Sequence, residues 1–185
     1  MLCVTLNSYN APCSAVSGGV SNIWLFDPED FNFTQDNVTK SYTAISLRPS
    51  STGNLYPIKF EKKEAEYKFK HSRNGRVVKY EHTLDARLPK LSQEITNFLK
   101  ELDDAGVCCG LGVIFRDNNG KIFVIGEKFV NTEEITDFEI LMDGSEGGTG
   151  KKLEEFNGAT VMFKGDYSRA ANEFTGGMSV LVGFQ

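Results

Sequence analysis

Long apolar runs are absent from this chain of 185 residues: nowhere does it hold the roughly 18 consecutive apolar residues that a membrane-spanning helix requires. No basic stretch followed by a long apolar one opens it at Met1-Leu2-Cys3-Val4-Thr5, so a secretory leader is not expected and the location read from sequence is intracellular. Cations are also in short supply, with 20 Lys and Arg against 25 Asp and Glu, a net charge of −5. That balance argues against a protein that grips DNA or RNA through a basic face. Histidine is scarce (His71 and His82), and the four cysteines, Cys3, Cys13, Cys108 and Cys109, form no CxxC pair. Zinc sites need ligand pairs at short spacing, so none is expected. Cys108 and Cys109 read as buried, reduced small hydrophobes on opposite faces of a strand. A thiol nucleophile with His82 as its base has no local feature to activate it. The length fits one domain, and no cofactor is expected.

What the sequence does contain is β-pattern. Residues 1–19 read as an N-terminal arm ending in Ser17-Gly18-Gly19, and 20–185 as a single β-sandwich domain. Val20 to Phe26 is a strand-forming run stopped by Asp27-Pro28; Tyr42 to Leu47 is a short strand within an otherwise flexible 27–54. Tyr56, Ile58 and Phe60, then Ala65, Tyr67 and Phe69, alternate with polar residues, with a change of phase at 61–64 that a bulge would absorb. Asn74-Gly75 predicts a tight hairpin turn. In the return strand Val78, Tyr80, His82, Leu84, Ala86 and Leu88 fall on a dry side, and Lys79, Glu81, Thr83, Asp85 and Arg87 on a wet one. After Pro89, the spacing of Leu91, Ile95, Phe98, Leu99 and Leu102 predicts one helix over about 91–104. Strands are expected at 107–116, 121–129, 135–142, 160–165 and 178–184, with a flexible loop at 143–158. The fold class is therefore mainly β, a β-sandwich or barrel with one flanking α-helix.

Motifs that could carry chemistry fail on their details. A phosphate loop needs a Gly separated by four residues from Gly-Lys and a hydroxyl after it; around Gly150-Lys151 those places hold Ser145 and Lys152. Asp117-Asn118-Asn119-Gly120 starts like a calcium loop, but its twelfth position is Lys128, not Glu, and a hairpin turn is the simpler reading. No GxSxG is present, and adjacent acids such as Asp103-Asp104 read as solvated surface, so an enzyme reading has no residue to rest on. The wet face of the 56–88 hairpin sets Lys59, Lys68, Lys70, Arg76, Lys79 and Arg87 among Glu61, Glu66, Glu81 and Asp85. Such a face is either solvated, with charge pairs across strands, or the lining of a ring or channel that a polyanion passes without sticking.

The order of these features resembles a known family. A Cys-bearing arm leads into Gly18-Gly19-Val20-Ser21-Asn22-Ile23-Trp24-Leu25-Phe26. Tyr56-Pro57-Ile58-Lys59-Phe60 follows, then a long strand, a turn, Tyr80-Glu81-His82-Thr83-Leu84 and the Leu-rich helix. Phe115 to Gly126 and Gly158 to Gly165 complete the pattern. From about residue 12 to 165 the chain is similar to tail-tube-like structural proteins of tailed bacteriophages, particularly phages that infect Bacteroidetes. Residues 166–177, with Ser168-Arg169-Ala170-Ala171-Asn172, depart from that pattern. The resemblance implies hexameric rings that stack into a tube conducting DNA from capsid to host cell, located in the virion tail and assembled in the host bacterial cytoplasm. Its partners would be further copies of itself, other tail or neck proteins, and DNA in passage, with no membrane. On that basis Cys3, Cys13, Lys59, Glu61, Lys68, Lys70, Lys79, Glu81, Asp85, Arg87, Gly147 and Lys151 are candidate subunit-contact or lumen-facing residues. The alternatives are a head–tail connector or neck ring of the same fold, and a β-rich ligand-binding domain.

Overall fold

The computed structural model describes residues 17–108, 110–135, 140–149 and 156–184. Its chain forms two sheets and one long helix, the sandwich with a flanking helix that the patterning predicts. The first strands, β1 (Val20–Phe26), β2 (Phe31–Gln35), β3 (Tyr42–Leu47) and β4 (Tyr56–Ile58), enter the larger sheet. β5 (Ala65–Asn74) and β6 (Val77–Pro89) form the long hairpin, and α1 (Gln93–Cys108) follows. β7 (Gly112–Asp117), β8 (Ile122–Ile125), β9 (Phe129–Val130) and β10 (Glu133–Glu134) return to the larger sheet. Then come β11 (Leu141–Gly148), β12 (Gly158–Tyr167), β13 (Asn172–Phe174) and a one-turn helix, α2 (Met178–Val182). The larger sheet runs β10-β9-β2-β3-β13-β8-β7-β1-β4, and the smaller, fully antiparallel, runs β11-β12-β6-β5.

Two cores result because both faces of β1 and β7 are buried. Ile23, Leu25, Val113 and Phe115 face the smaller sheet, where they meet Leu84, Ala86, Val161 and Phe163, and Leu102 of α1 joins them. Trp24, Phe26 and Ile114 point the other way, into a cluster with Phe31, Phe33, Tyr42 and Leu181. Gly112 is required there: a Cβ in its place would lie 2.1 Å from the Phe26 ring.

Several expectations are corrected. Within 27–54 the expected strand Tyr42–Leu47 is present as β3, but it has an unexpected partner: β2 pairs with it from Phe31↔Leu47 to Gln35↔Tyr42, so residues 31–35 are sheet and not loop. The same holds for the first part of 143–158, where β11 pairs with β12 as far as Gly148↔Gly158. Its glycines hid a strand because cross-strand pairing does not require side chains. The 178–184 run is helical: Gly177 (φ 85) turns the chain, and Leu181 docks into the second core. The helix runs on to Cys108, past the expected stop at 104 and Gly106, and the strand expected from 107 begins at Gly112. Cys108 is thus an exposed helical residue, not a buried strand one. The hairpin loop is Gly75-Arg76, one residue later than expected, with positive φ at Gly75 alone (62°). The phase change at 61–64 is larger than a bulge: the chain leaves the first sheet after β4 and enters the second at β5. Its bend hangs on β6, with the Glu61 N–H donating to the Arg87 carbonyl (2.8 Å) and the Arg87 N–H to that of Glu64 (3.1 Å).

Candidate assembly surface

The wet side of the hairpin becomes the outer face of the smaller sheet. Strand alternation puts Glu66, Lys68 and Lys70 of β5 beside Glu81, Asp85 and Arg87 of β6, and β12 adds Lys164 and Asp166. Charges of opposite sign are interleaved. Lys79 meets Asp166 at 2.6 Å, Lys68 meets Glu66 at 2.6 Å, Arg87 meets Glu64 at 3.0 Å, and Lys164 meets Glu81 at 3.7 Å. The carboxylate partners hold the Lys68 and Lys79 ammonium groups above their ordinary pKa, in each case chiefly through the hydrogen bond. Asp85 shifts upward: desolvation outweighs the pull of Lys68, Glu66 adds to the shift, and one carboxylate oxygen is buried with no hydrogen-bond partner. Arg87 also lies over the Phe156 ring at 4.4 Å.

Of the residues singled out from sequence, Lys68, Lys70, Lys79, Glu81, Asp85 and Arg87 share this face. Lys59 and Glu61 do not. Lys59 lines a groove beside α1, and Glu61 sits in the exposed inter-sheet bend. Gly147 lies on β11 opposite Ala159 and is exposed. Cys3, Cys13 and Lys151 lie outside the described residues. The arm's last residues are pinned: Asn118 Nδ2 donates to the Gly18 carbonyl (2.6 Å), and Asn119 Nδ2 to that of Ser17 (2.8 Å). This is the work of the 117–120 turn, whose Asp117 carboxylate accepts from the N–H groups of Asn119 and Lys121. Among the described residues no group of three or more His, Cys, Asp or Glu could hold a metal ion, and no helix is long and apolar enough to cross a membrane.

The dry side of the hairpin is dry for only half its length. His82, Leu84, Ala86 and Leu88 are buried, but Tyr80 is half-buried, and Val78 and Phe69 are 37% and 56% exposed. The hairpin outruns the core that should cover it.

Sequence reasoning missed a buried polar tie between the sheets. His82, fully buried, meets the Arg169 carbonyl through Nε2 (3.0 Å). A carbonyl only accepts, so Nε2 carries the proton and Nδ1 accepts from the Tyr67 hydroxyl (2.6 Å). Both ring nitrogens are thereby occupied within the fold. The Arg169 side chain reaches the other way, to Glu127 at 2.9 Å. Glu127, 3% exposed, also accepts from the Tyr42 hydroxyl, which in turn accepts from Asn172 Nδ2 (2.9 Å). Burial drives both tyrosine pKa values upward, and the Glu127 charge adds to the effect at Tyr42. The segment 168–172 supplies Arg169 and Asn172, and its departure from the expected sequence pattern was the one signal available.

Comparison with protein-family models, with curated proteins and with solved structures finds no match to this chain.

Proposed function

We propose that this chain is a self-assembling structural subunit of a bacteriophage tail, forming rings that stack into a tube through which DNA passes. One observation carries the reading. The smaller sheet has four antiparallel strands, and both its long edges, β5 and β11, lack a paired strand among the described residues. Seven of the eight β11 residues are exposed, although α1 lies beside it with Gly106 near Leu141. Open edges of this length invite pairing with another chain. In an even-stranded antiparallel sheet the two edge strands run in opposite directions. Copies related by pure rotation therefore meet β5 to β11 in antiparallel sense, and every copy keeps the same face inward.

Such head-to-tail contacts give a ring where the rotation between copies closes. With the sixfold symmetry that the family resemblance implies, six copies of four strands give 24. At ~4.8 Å between strands the circumference is ~115 Å and the backbone diameter ~37 Å, leaving room for a DNA duplex inside the side chains. The inward face would carry interleaved, mutually paired charges, which offer a sliding polyanion no continuous cationic track.

The test joins the two edges. Glu66→Cys on β5 and Gly144→Cys on β11 place thiols at one level of the sheet, in register through Asp85 and Met162, on the same face, and nothing would crowd a Cβ at Gly144. With Cys3, Cys13, Cys108 and Cys109 replaced by Ser in every variant, a short bis-maleimide should link the double variant into a ladder ending at one closed size, with neither single variant doing so. Negative-stain images of the wild-type chain should show rings or tubes. Single rings alone would favour the neck-ring alternative. A monomer at high concentration with no ladder refutes the proposal.

A further inference from the structure

The exposed end of the β5–β6 hairpin and the groove beside α1 are complementary in shape of charge and in apolar character, and they lie at opposite ends of one strand. We propose that the hairpin tip of one copy seats in that groove of the next copy along the strand axis, the contact that stacks one ring on another; it rests on the ring reading above.

Residues 67–80 hold five cations, Lys68, Lys70, Arg73, Arg76 and Lys79, and no carboxylate. Lys68 and Lys79 are engaged with Glu66 and Asp166, so the net charge rests on Lys70, Arg73 and Arg76, none of which has an ion-pair partner among the described residues. Between them runs an uncovered apolar surface. Phe69 stacks toward Tyr80 (6.3 Å between ring centres), Tyr80 toward His71 (4.8 Å), and Val78 is exposed beside them.

The groove is about 740 Å³. Ile58 and Leu88 floor it, and Ile95 and Phe98 of α1, both half-buried, form one wall. Its rim is divided. Glu94 and Glu101 stand on the helix wall, seven residues or about 10 Å apart on one helical face, while Lys59 and Lys90 stand on the strand wall. A tip bearing Arg73 and Arg76 can therefore enter in one orientation only, with its cations toward α1. The groove is built at Leu88, Pro89 and Lys90, the last residues of β6, and the tip at Val77, its first. Thirteen residues of strand separate them by ~40 Å, so one copy cannot fill its own groove. The contact is heterologous and repeats along the strand direction, across the lateral β5–β11 seam, so the two contacts together give rings and stacks.

The experiment compares the full-length wild-type chain with Arg73→Glu/Arg76→Glu, with Glu94→Lys/Glu101→Lys, and with all four changes combined, by negative-stain microscopy and sedimentation. The altered residues are surface groups, and far-UV circular dichroism checks that each variant folds. Either pair alone should lower the stacked fraction roughly tenfold or more while rings persist, and the combination should restore it. Stacks that survive either pair, or a combination that fails to restore them, overturn the proposal. So does a wild-type chain that stays as single rings, including one that instead retains a duplex oligonucleotide through Arg73 and Arg76. Open strings without rings would sink the ring reading and leave this contact standing; a monomer sinks both.

Discussion

Removing the Glu127 carboxylate tests the polar tie at its most exposed weakness. In the Glu127→Ala variant the Arg169 guanidinium and the Tyr42 hydroxyl lose their common acceptor in a site where Glu127 is 3% exposed. Breaking one side of a buried ion pair costs about 3–5 kcal/mol. For a domain of this size each kcal/mol moves the melting point about 2–4 °C, so the expected fall is roughly 6–20 °C. Glu127→Gln keeps an acceptor for Tyr42 but not the charge, and should cost about 1–2 kcal/mol, the difference between charged and neutral hydrogen bonds. Trp24, the single tryptophan and 2% exposed, reports unfolding by fluorescence in a denaturant titration. An Ala variant within about 1 kcal/mol of wild type, or a Gln variant worse than Ala, would refute the assignment of this cluster as a net stabilising tie.

Alkaline pH should find Tyr42 and Tyr67. Their folded pKa values lie above the ordinary 10, so their contribution is fully present below pH 10 and is lost as pH rises toward the folded values, at about 1.4 kcal/mol per pH unit for each tyrosine. Replacing either with Phe should flatten that part of a stability–pH curve, and an unchanged slope would count against the burial argument. Asp85 titrates upward too, so the folded state favours its protonated form and ionisation above the carboxylate range weakens the fold. Asp85→Asn should gain stability over wild type between pH 3 and pH 7; a variant that loses ground over that interval would show Asp85 to be a stabilising charge.

Where physics acts within a few residues, the fold was legible. A run of strand formers marked β1, alternation marked β5 and β6, helical spacing marked α1, and Asp117 to Gly120 declared its turn, because side-chain direction and backbone preference are local. Misses cluster where tertiary contact overrides local preference. Gly144, Gly147 and Gly148 read as loop, yet a ladder to β12 makes them strand. Met178 to Val182 carries strand propensity, yet docking of Leu181 makes it helix. The candidate face was mostly legible, since six of its residues follow from period 2 alone. The groove at Lys59 was not, because it joins residues 57–59 to a helix some 35 positions on. Nor was the tie: Glu127, Arg169 and Tyr42 come from three separate segments, and no local pattern brings them together.

The distribution of charge, more than its sum, bears on how copies would meet in the proposed ring. β5 carries Lys68, Lys70 and Arg73 against Glu66, whereas β11 carries Asp143 and Glu146 and no cation. Pairing β5 with a second β5, or β11 with a second β11, would set like charges side by side, which destabilises a sheet. Pairing β5 with β11 sets opposite charges together. The twofold dimer, which needs like edges to meet, is thereby disfavoured against the head-to-tail contact that can close only by rotation. A net charge of −5 hides an asymmetry: one edge and one tip are basic, and the opposing edge and helix wall are acidic. Each basic feature has its acidic counterpart at the far side of the same subunit, which is the arrangement a chain requires if its most fitting partner is another copy of itself.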